Sequence, residues 1–215
     1  MVTDALAGDF ARGIEKMGLS LDGAAQQKLL EYLRLLAKWN RAYNLTAVRN
    51  IEDMLPRHLL DSLSVSPYLV GDRVLDVGTG PGLPGIPLSI TYPERQFTLL
   101  DSNGKKTRFL HQAVVELKLT NIRVCQSRIE AFVDAEPFDA ILSRAFSTLL
   151  DMVKGCYELC AAGGYFLAMK GVYPQQELEE LLQHYPQLEV ESVLPLNVPE
   201  SEGERHLVVL RKPSA

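Results

Sequence analysis

The chain has 215 residues, 47% of them hydrophobic, enough for one substantial core with a short appendage, and its formal net charge is -5. The acidic balance argues against a general nucleic-acid binder, which usually carries a basic excess, but leaves a local basic face open. No run approaches the roughly 18–20 apolar residues of a membrane span, and an N-terminus with Asp4 and Asp9 so early lacks a charged-then-apolar leader, so a soluble cytoplasmic protein is expected.

The first seventy residues read as helix. Asp4 to Met17, closed by Gly18, forms a short one. Between Asp22 and Asn40 the residues Leu29, Leu33 and Leu36, joined by Tyr32 and Trp39, recur at helical spacing with Gln27, Lys28, Arg34 and Lys38 between them. A third helix is expected around Met54–Leu63, after Pro56.

From Arg73 onward the period changes. Short apolar runs alternate with helical stretches, the pattern of a parallel sheet built from strand-helix-strand units. Strands are expected at Val74–Val77, Phe97–Asp101, Ile122–Gln126, Ala140–Ser143, Tyr165–Met169, Val190–Leu196 and His206–Arg211. Helices fill Gly85–Thr91, Lys105–Leu117, Leu149–Cys160 and Gln175–Gln183. Gly163-Gly164 reads as the turn into the fifth strand, and Ser201–Glu204 as the turn between a last, antiparallel pair. Residues 1–70 thus form a helical cap and 71–215 an α/β ligand-binding domain.

The stretch DVGTGPGLPG, Asp76 to Gly85, leaves bare backbone at the carboxyl end of the first strand, where open α/β sheets bind ligands. Its spacing is GxGxG through Gly78, Gly80 and Gly82. A dinucleotide fingerprint would need a third glycine where Leu83 stands, so a ligand without a pyrophosphate fits better, and S-adenosylmethionine (AdoMet) is such a ligand. Asp101 ends the second strand about 20 residues further on, where nucleotide sheets place the acid that accepts the ribose hydroxyls. After the third strand, Ser127-Arg128-Ile129-Glu130 offers backbone and an acid to an adenine amino group; alternatively, Glu130 caps or solvates a short helix.

The fourth strand ends on Ser143-Arg144-Ala145-Phe146. Methylation of an exocyclic amine commonly uses Asn/Asp-Pro-Pro-aromatic at this place, which is absent. Methylation of a pyrimidine carbon needs a cysteine nucleophile, and Cys125, Cys156 and Cys160 do not lie at a strand end beside the loop. They also lack disulfide or zinc spacing, and no metal is expected. A ring nitrogen such as guanine N7 has a lone pair and no proton to remove, so alignment suffices and no general base is required. Arg144 either contacts cofactor, guanine or phosphate, or pairs with Glu130 or Asp101.

Trp39-Asn40, Tyr43-Asn44-Leu45-Thr46, Arg57-His58-Leu59-Leu60-Asp61-Ser62, DVGTGPGLPGIPLSI, LLDSNGKKTRFL, FDAILSRAF and GERHLVV together resemble the bacterial 16S ribosomal RNA N7-guanine methyltransferases, also called ribosomal small subunit methyltransferase G or glucose-inhibited division protein B. The resemblance spans nearly the whole chain. It implies a class I AdoMet-dependent, Rossmann-like methyltransferase sheet under an N-terminal helical cap, acting on one guanine in the decoding-centre loop of 16S rRNA or the small subunit. It also implies a cofactor site lined by Gly78, Leu83, Asp101, Ser102, Asn103, Ile129, Glu130 and Arg144. Lys105, Lys106 and Arg108 open the helix after the second strand, while Arg49, Arg57, His58, Arg144, Lys170, Arg205 and His206 sit in expected loops or element ends, giving a candidate basic rim for RNA. A monomer is favoured. A small-molecule methyltransferase, with the cap closing an apolar pocket, and a nonenzymatic AdoMet-dependent RNA-binding module are the alternatives.

Overall fold

The computed structural model describes residues 4–145 and 148–214, so Phe146 of the Ser-Arg-Ala-Phe stretch lies outside the described residues. Seven strands form one sheet in the order β3-β2-β1-β4-β5-β7-β6. They are β1 (Arg73–Val77), β2 (Gln96–Asp101), β3 (Ile122–Gln126), β4 (Phe138–Arg144), β5 (Cys160–Lys170), β6 (Glu189–Pro195) and β7 (His206–Arg211). All pairings are parallel except those of β7, which runs antiparallel to both β5 and β6. The order reverses between β1 and β4, which puts the crevice for a ligand at the carboxyl ends of β1, β2 and β4.

Strand periodicity sorts the core into two faces. Val74, Phe97, Leu99, Ala140 and Leu142 face one buried cluster, which also holds Ile86, Leu88 and Ile90 of α5 (Gly85–Thr91) and Phe109 and Leu110 of α6 (Gly104–Glu116). The residues between them, Leu75, Val77, Leu100 and Ile141, face a second cluster under α7 (Leu149–Cys156) and α8 (Gln175–His184).

The N-terminal helices add to the first cluster. In α1 (Asp4–Lys16) Phe10 is fully buried, and in α2 (Gly23–Tyr43) so are Leu29, Tyr32, Leu33 and Leu36, as the helical spacing predicts. Burial of each such side chain contributes about 1.5–3 kcal/mol, so α2 alone is strongly held. It starts at Asp22, whose side chain accepts from the Ala25 amide at 2.7 Å, and stops at Asn44 in the left-handed region. It packs on α5 and α6, and Trp39 lies against Phe109 with ring centroids 5.8 Å apart. The cap and the sheet therefore share one core.

Two elements differ from the sequence reading. The helix expected over Met54–Leu63 is three pieces: α3 (Ile51–Met54), a π-helical turn (Leu55–Leu60) and α4 (Asp61–Leu63). Pro56 has no amide hydrogen to donate, and the Asp61 amide reaches back five residues to the Pro56 carbonyl. At the other end of the chain, α7 stops at Cys156 and a 3-10 turn, Tyr157–Leu159, leads straight into β5, which contains Gly163-Gly164 rather than following it. The pairing jumps from Phe138↔Cys160 to Ala140↔Tyr165, so the glycines sit in a bulge. A Cβ on Gly164 would stand 3.0 Å from the Ala161 and Asp139 carbonyl oxygens, which is why glycine is needed there.

Candidate active site

A cavity of about 320 Å³ opens at the carboxyl ends of β1, β2 and β3, with Ala145 after β4 on its rim. Gly78, Asp101, Ser102, Ile129 and Glu130 line it, as the sequence reading places them, and so do Val77, Leu100, Lys106, Ser127 and Arg128.

The glycine loop turns on Gly78 (φ 66°) and Gly80 (φ 62°), a region side chains rarely adopt, and the Gly78 and Thr79 amides both donate to the Leu100 carbonyl. Asp101 pins the loop: its Oδ2 accepts from the Gly80 amide at 2.9 Å and its Oδ1 from the Asn103 amide at 2.8 Å. Each carboxylate oxygen has a further lone pair, so Asp101 can still accept from two ribose hydroxyls. A Cβ built on Gly80 meets nothing nearer than Lys106 Nζ at 3.8 Å, so the loop leaves open space beside that acid. Cradle and carboxylate together fit the ribose and amino-acid parts of AdoMet.

Of the other predicted cofactor residues, Gly82 and Leu83 lie behind the loop. A Cβ on Gly82 would stand 2.5 Å from Ile86 Cδ1 and one on Gly85 2.3 Å from Leu99 Cδ2, so these two glycines allow α5 to close on the sheet. Leu83 is buried in the core between them. Asn103 is the N-cap of α6, accepting from the Lys105 and Lys106 amides. Glu130 lies in a 3-10 turn, Ile129–Ala131, whose N-cap is Arg128, so it does not cap that turn.

Asp76 carries a role the sequence reading missed. It is fully buried; Oδ2 accepts from Thr79 Oγ1 at 2.6 Å and the Gly85 amide at 2.8 Å, tying both ends of the loop, while Oδ1 has no partner. Burial pushes its carboxyl up to about 7 against the opposing pull of those two donors. Tyr32 of α2 reaches the same loop, donating to the Pro81 carbonyl at 2.8 Å, so the cap helps to fix its shape.

The alternative reading of Arg144, an ion pair with Glu130 or Asp101, is not what the structure has. Arg144 Nη1 is 3.0 Å from Asp61 Oδ2, a carboxylate of the cap, because the π-helical turn lifts α4 to the end of β4.

A family profile for rRNA small subunit methyltransferase G matches residues 25–208. Proteins named ribosomal RNA small subunit methyltransferase G are 52% identical over 95% of this chain and 98% of the relative in Klebsiella pneumoniae, and 52% identical over 98% of both chains in Pseudomonas aeruginosa. The chain belongs to the rRNA small subunit methyltransferase G family. A solved SAM-dependent methyltransferase from Aquifex aeolicus superposes with a TM-score of 0.58 at 18% identity, over 74% of this chain and 92% of that one, and a ribosomal protein L11 methylase from Lactobacillus delbrueckii with 0.57 at 17%, over 76% and 80%. Both show the class I methyltransferase fold.

Within this small subunit methyltransferase G fold, the residues expected to face RNA do not share one environment. Lys105, Arg108, Arg49 and Arg57 are exposed. Lys106 instead lines the cavity, 3.7 Å from Asp101 Oδ2, and Lys170 is held 2.7 Å from Glu177. Arg205 shares Asp61 with Arg144. His58 is only 6% exposed, and its ring accepts from Thr46 Oγ1 and donates to its neighbour's carbonyl at Arg57, so it faces the cap and not solvent. Burial, reinforced by the Arg144 charge, lowers its pKa to about 4, so it stays neutral at physiological pH.

No helix is long and apolar enough to cross a membrane, and no three His, Cys, Asp or Glu side chains are placed to hold a metal ion among the described residues.

Proposed function

We propose that this methyltransferase acts on N7 of a guanine in the decoding-centre loop of 16S rRNA. AdoMet is the cofactor. Bound in the cavity, it would supply a methyl carbon activated by a sulfonium, and a guanine N7, having a lone pair and no proton, would need no base to accept it.

The protein's part is then alignment and exclusion of water. Asp101 holds the Gly80 amide and would accept the ribose hydroxyls, Ile129 and Glu130 would border the adenine, and Asp76 and Tyr32 keep the loop from shifting. The observation that carries the acceptor assignment is the end of β4. Ser143-Arg144-Ala145 stands where amine chemistry would need Asn/Asp-Pro-Pro, and Arg144 is committed to Asp61 rather than placed as a base. The thiols do not suit carbon methylation. Cys156 and Cys160 are buried and pushed up to about 12 by desolvation, and Cys125 is raised by the same cause on the edge strand β3. Among the described residues the cavity lining runs from Val77 to Ala145 with no cap residue in it, which favours a macromolecular acceptor over a small molecule enclosed by the cap.

Incubation with methyl-labelled AdoMet and small-subunit RNA or particles lacking the modification tests this. Label is expected in RNA, released on digestion as 7-methylguanosine. Label in free nucleotides or other small molecules but not in RNA would refute the reading.

A further inference from the structure

Asp61 follows the π-helical turn and is 3% exposed. Its two oxygens bind two arginines from distant elements: Oδ2 is 3.0 Å from Arg144 Nη1 at the end of β4, and Oδ1 is 3.2 Å from Arg205 Nε just before β7. Arg144 Nη1 also donates to the Arg57 carbonyl at 3.2 Å, and Arg205 Nη1 to the Glu204 carbonyl at 2.7 Å. The side chain of Asp61 is 5% exposed against 21% and 27% for the two arginines, so the carboxylate lies behind and the guanidinium edges reach solvent. One anion between two cations leaves the group net positive.

The cap also fixes the backbone carbonyl that Arg144 uses beside this carboxylate. Buried Asn40 on α2 accepts from the Thr46 amide and donates to the Val48 carbonyl, Thr46 donates to neutral His58, and His58 donates to the same Arg57 carbonyl that receives Arg144. A buried ion cluster of this kind is weak evidence for stability, since apolar replacements are often as stable, so its purpose is better sought in what it orients. A guanidinium fork matches phosphate oxygens, and holding a long side chain in advance removes an ordering cost on the scale of its roughly 2 kcal/mol rotamer entropy.

We propose that Asp61 is a positioning residue that presents Arg144 and Arg205 as a preformed pair of forks for one phosphate of the RNA strand beside the acceptor guanine. Arg144 directly precedes Ala145 on the cofactor cavity's rim, so a phosphate gripped there keeps its nucleotide next to the methyl group. The inference rests on the RNA reading above.

The reading has a signature that simple charge attraction does not. Asp61→Ala adds one net positive charge to the face, which by electrostatics alone would tighten RNA binding and steepen its salt dependence. Positioning predicts the opposite for catalysis: kcat/KM for an RNA fragment carrying the decoding-centre loop should fall roughly tenfold or more, the scale of one charge-assisted hydrogen bond. AdoMet affinity, read by calorimetry, should stay within about twofold, because Asp61 does not line the cavity. Arg205→Ala should give a similar fall, and the double variant little more than either, because the residues act as one unit. If Asp61→Ala does not fold, Asp61→Asn and the charge-keeping Arg205→Lys are measured in its place, and both should lose rate. Unchanged or faster methylation in folded variants, or fully additive losses, with an active wild type, would overturn the clamp alone. A wild type that transfers no methyl to RNA would overturn the functional reading beneath it.

Discussion

Replacing Asp101 by alanine should separate cofactor binding from the rest of the fold. The substitution removes the acceptor of the Gly80 amide at 2.9 Å, the acceptor of the Asn103 amide at 2.8 Å and the acceptors for the ribose. A hydrogen bond to a charged group is worth about 1.5–3 kcal/mol, and about 1.4 kcal/mol is a factor of ten in affinity. Loss of one such bond to the ribose therefore weakens AdoMet by roughly 10- to 100-fold. A further consequence acts in the same direction: the glycine loop loses its tether at the Gly80 amide. Because Gly80 is buried, its unpaired amide should also cost about 1–3 kcal/mol of stability. Asp101→Asn keeps one acceptor and should fall between. Calorimetric titration with AdoMet, alongside thermal melting, reads both effects; a folded Asp101→Ala variant with wild-type affinity would refute the reasoning.

Lys105→Glu and Lys106→Glu should behave differently although adjacent: the first should raise the KM for RNA in a salt-dependent way with AdoMet affinity kept, and the second should weaken AdoMet itself, as equilibrium binding of each ligand will show. Equal effects on both ligands would count against the division. Asp76, held at about 7 against an ordinary value of 3.8, binds an extra proton in the folded state between those values, so its contribution to stability is present at low pH and is lost as pH rises toward 7. Asp76→Asn cannot titrate, so its melting temperature relative to wild type should rise between pH 5 and pH 8; parallel curves would contradict the buried-acid account.

Much of this architecture was legible because it depends on local pattern. Strand period two placed Val74 and Phe97 on one face and Leu75 and Leu100 on the other, and helical spacing placed Leu29, Leu33 and Leu36 in the core. The cradle was legible for the same reason: glycines after a strand and an acid at the next strand's end are close in space wherever parallel neighbours align, and β1 pairs in register with β2. What sequence could not show were the meetings between distant elements. Asp61, Arg144 and Arg205 are joined only by the fold, and the widened turn at Pro56 that brings Asp61 there leaves no periodic trace. Asn40 breaks the apolar stripe of α2 at a buried position, a signal that it has polar partners without naming Thr46 and Val48 as those partners. Lys105 and Lys106 look alike in a basic run, and only the helix phase turns one outward and the other into the cavity.

The central claim, that the acceptor is guanine N7 in small-subunit rRNA, is tested most directly by mass-spectrometric mapping of 16S rRNA from unmodified small-subunit particles after incubation with purified protein and AdoMet. One new methyl group is predicted, on N7 of a guanine in the decoding-centre loop, and at limiting AdoMet it should form far more slowly when Asp101→Ala replaces the wild type. A methyl group on an exocyclic amine or a pyrimidine carbon would contradict the account.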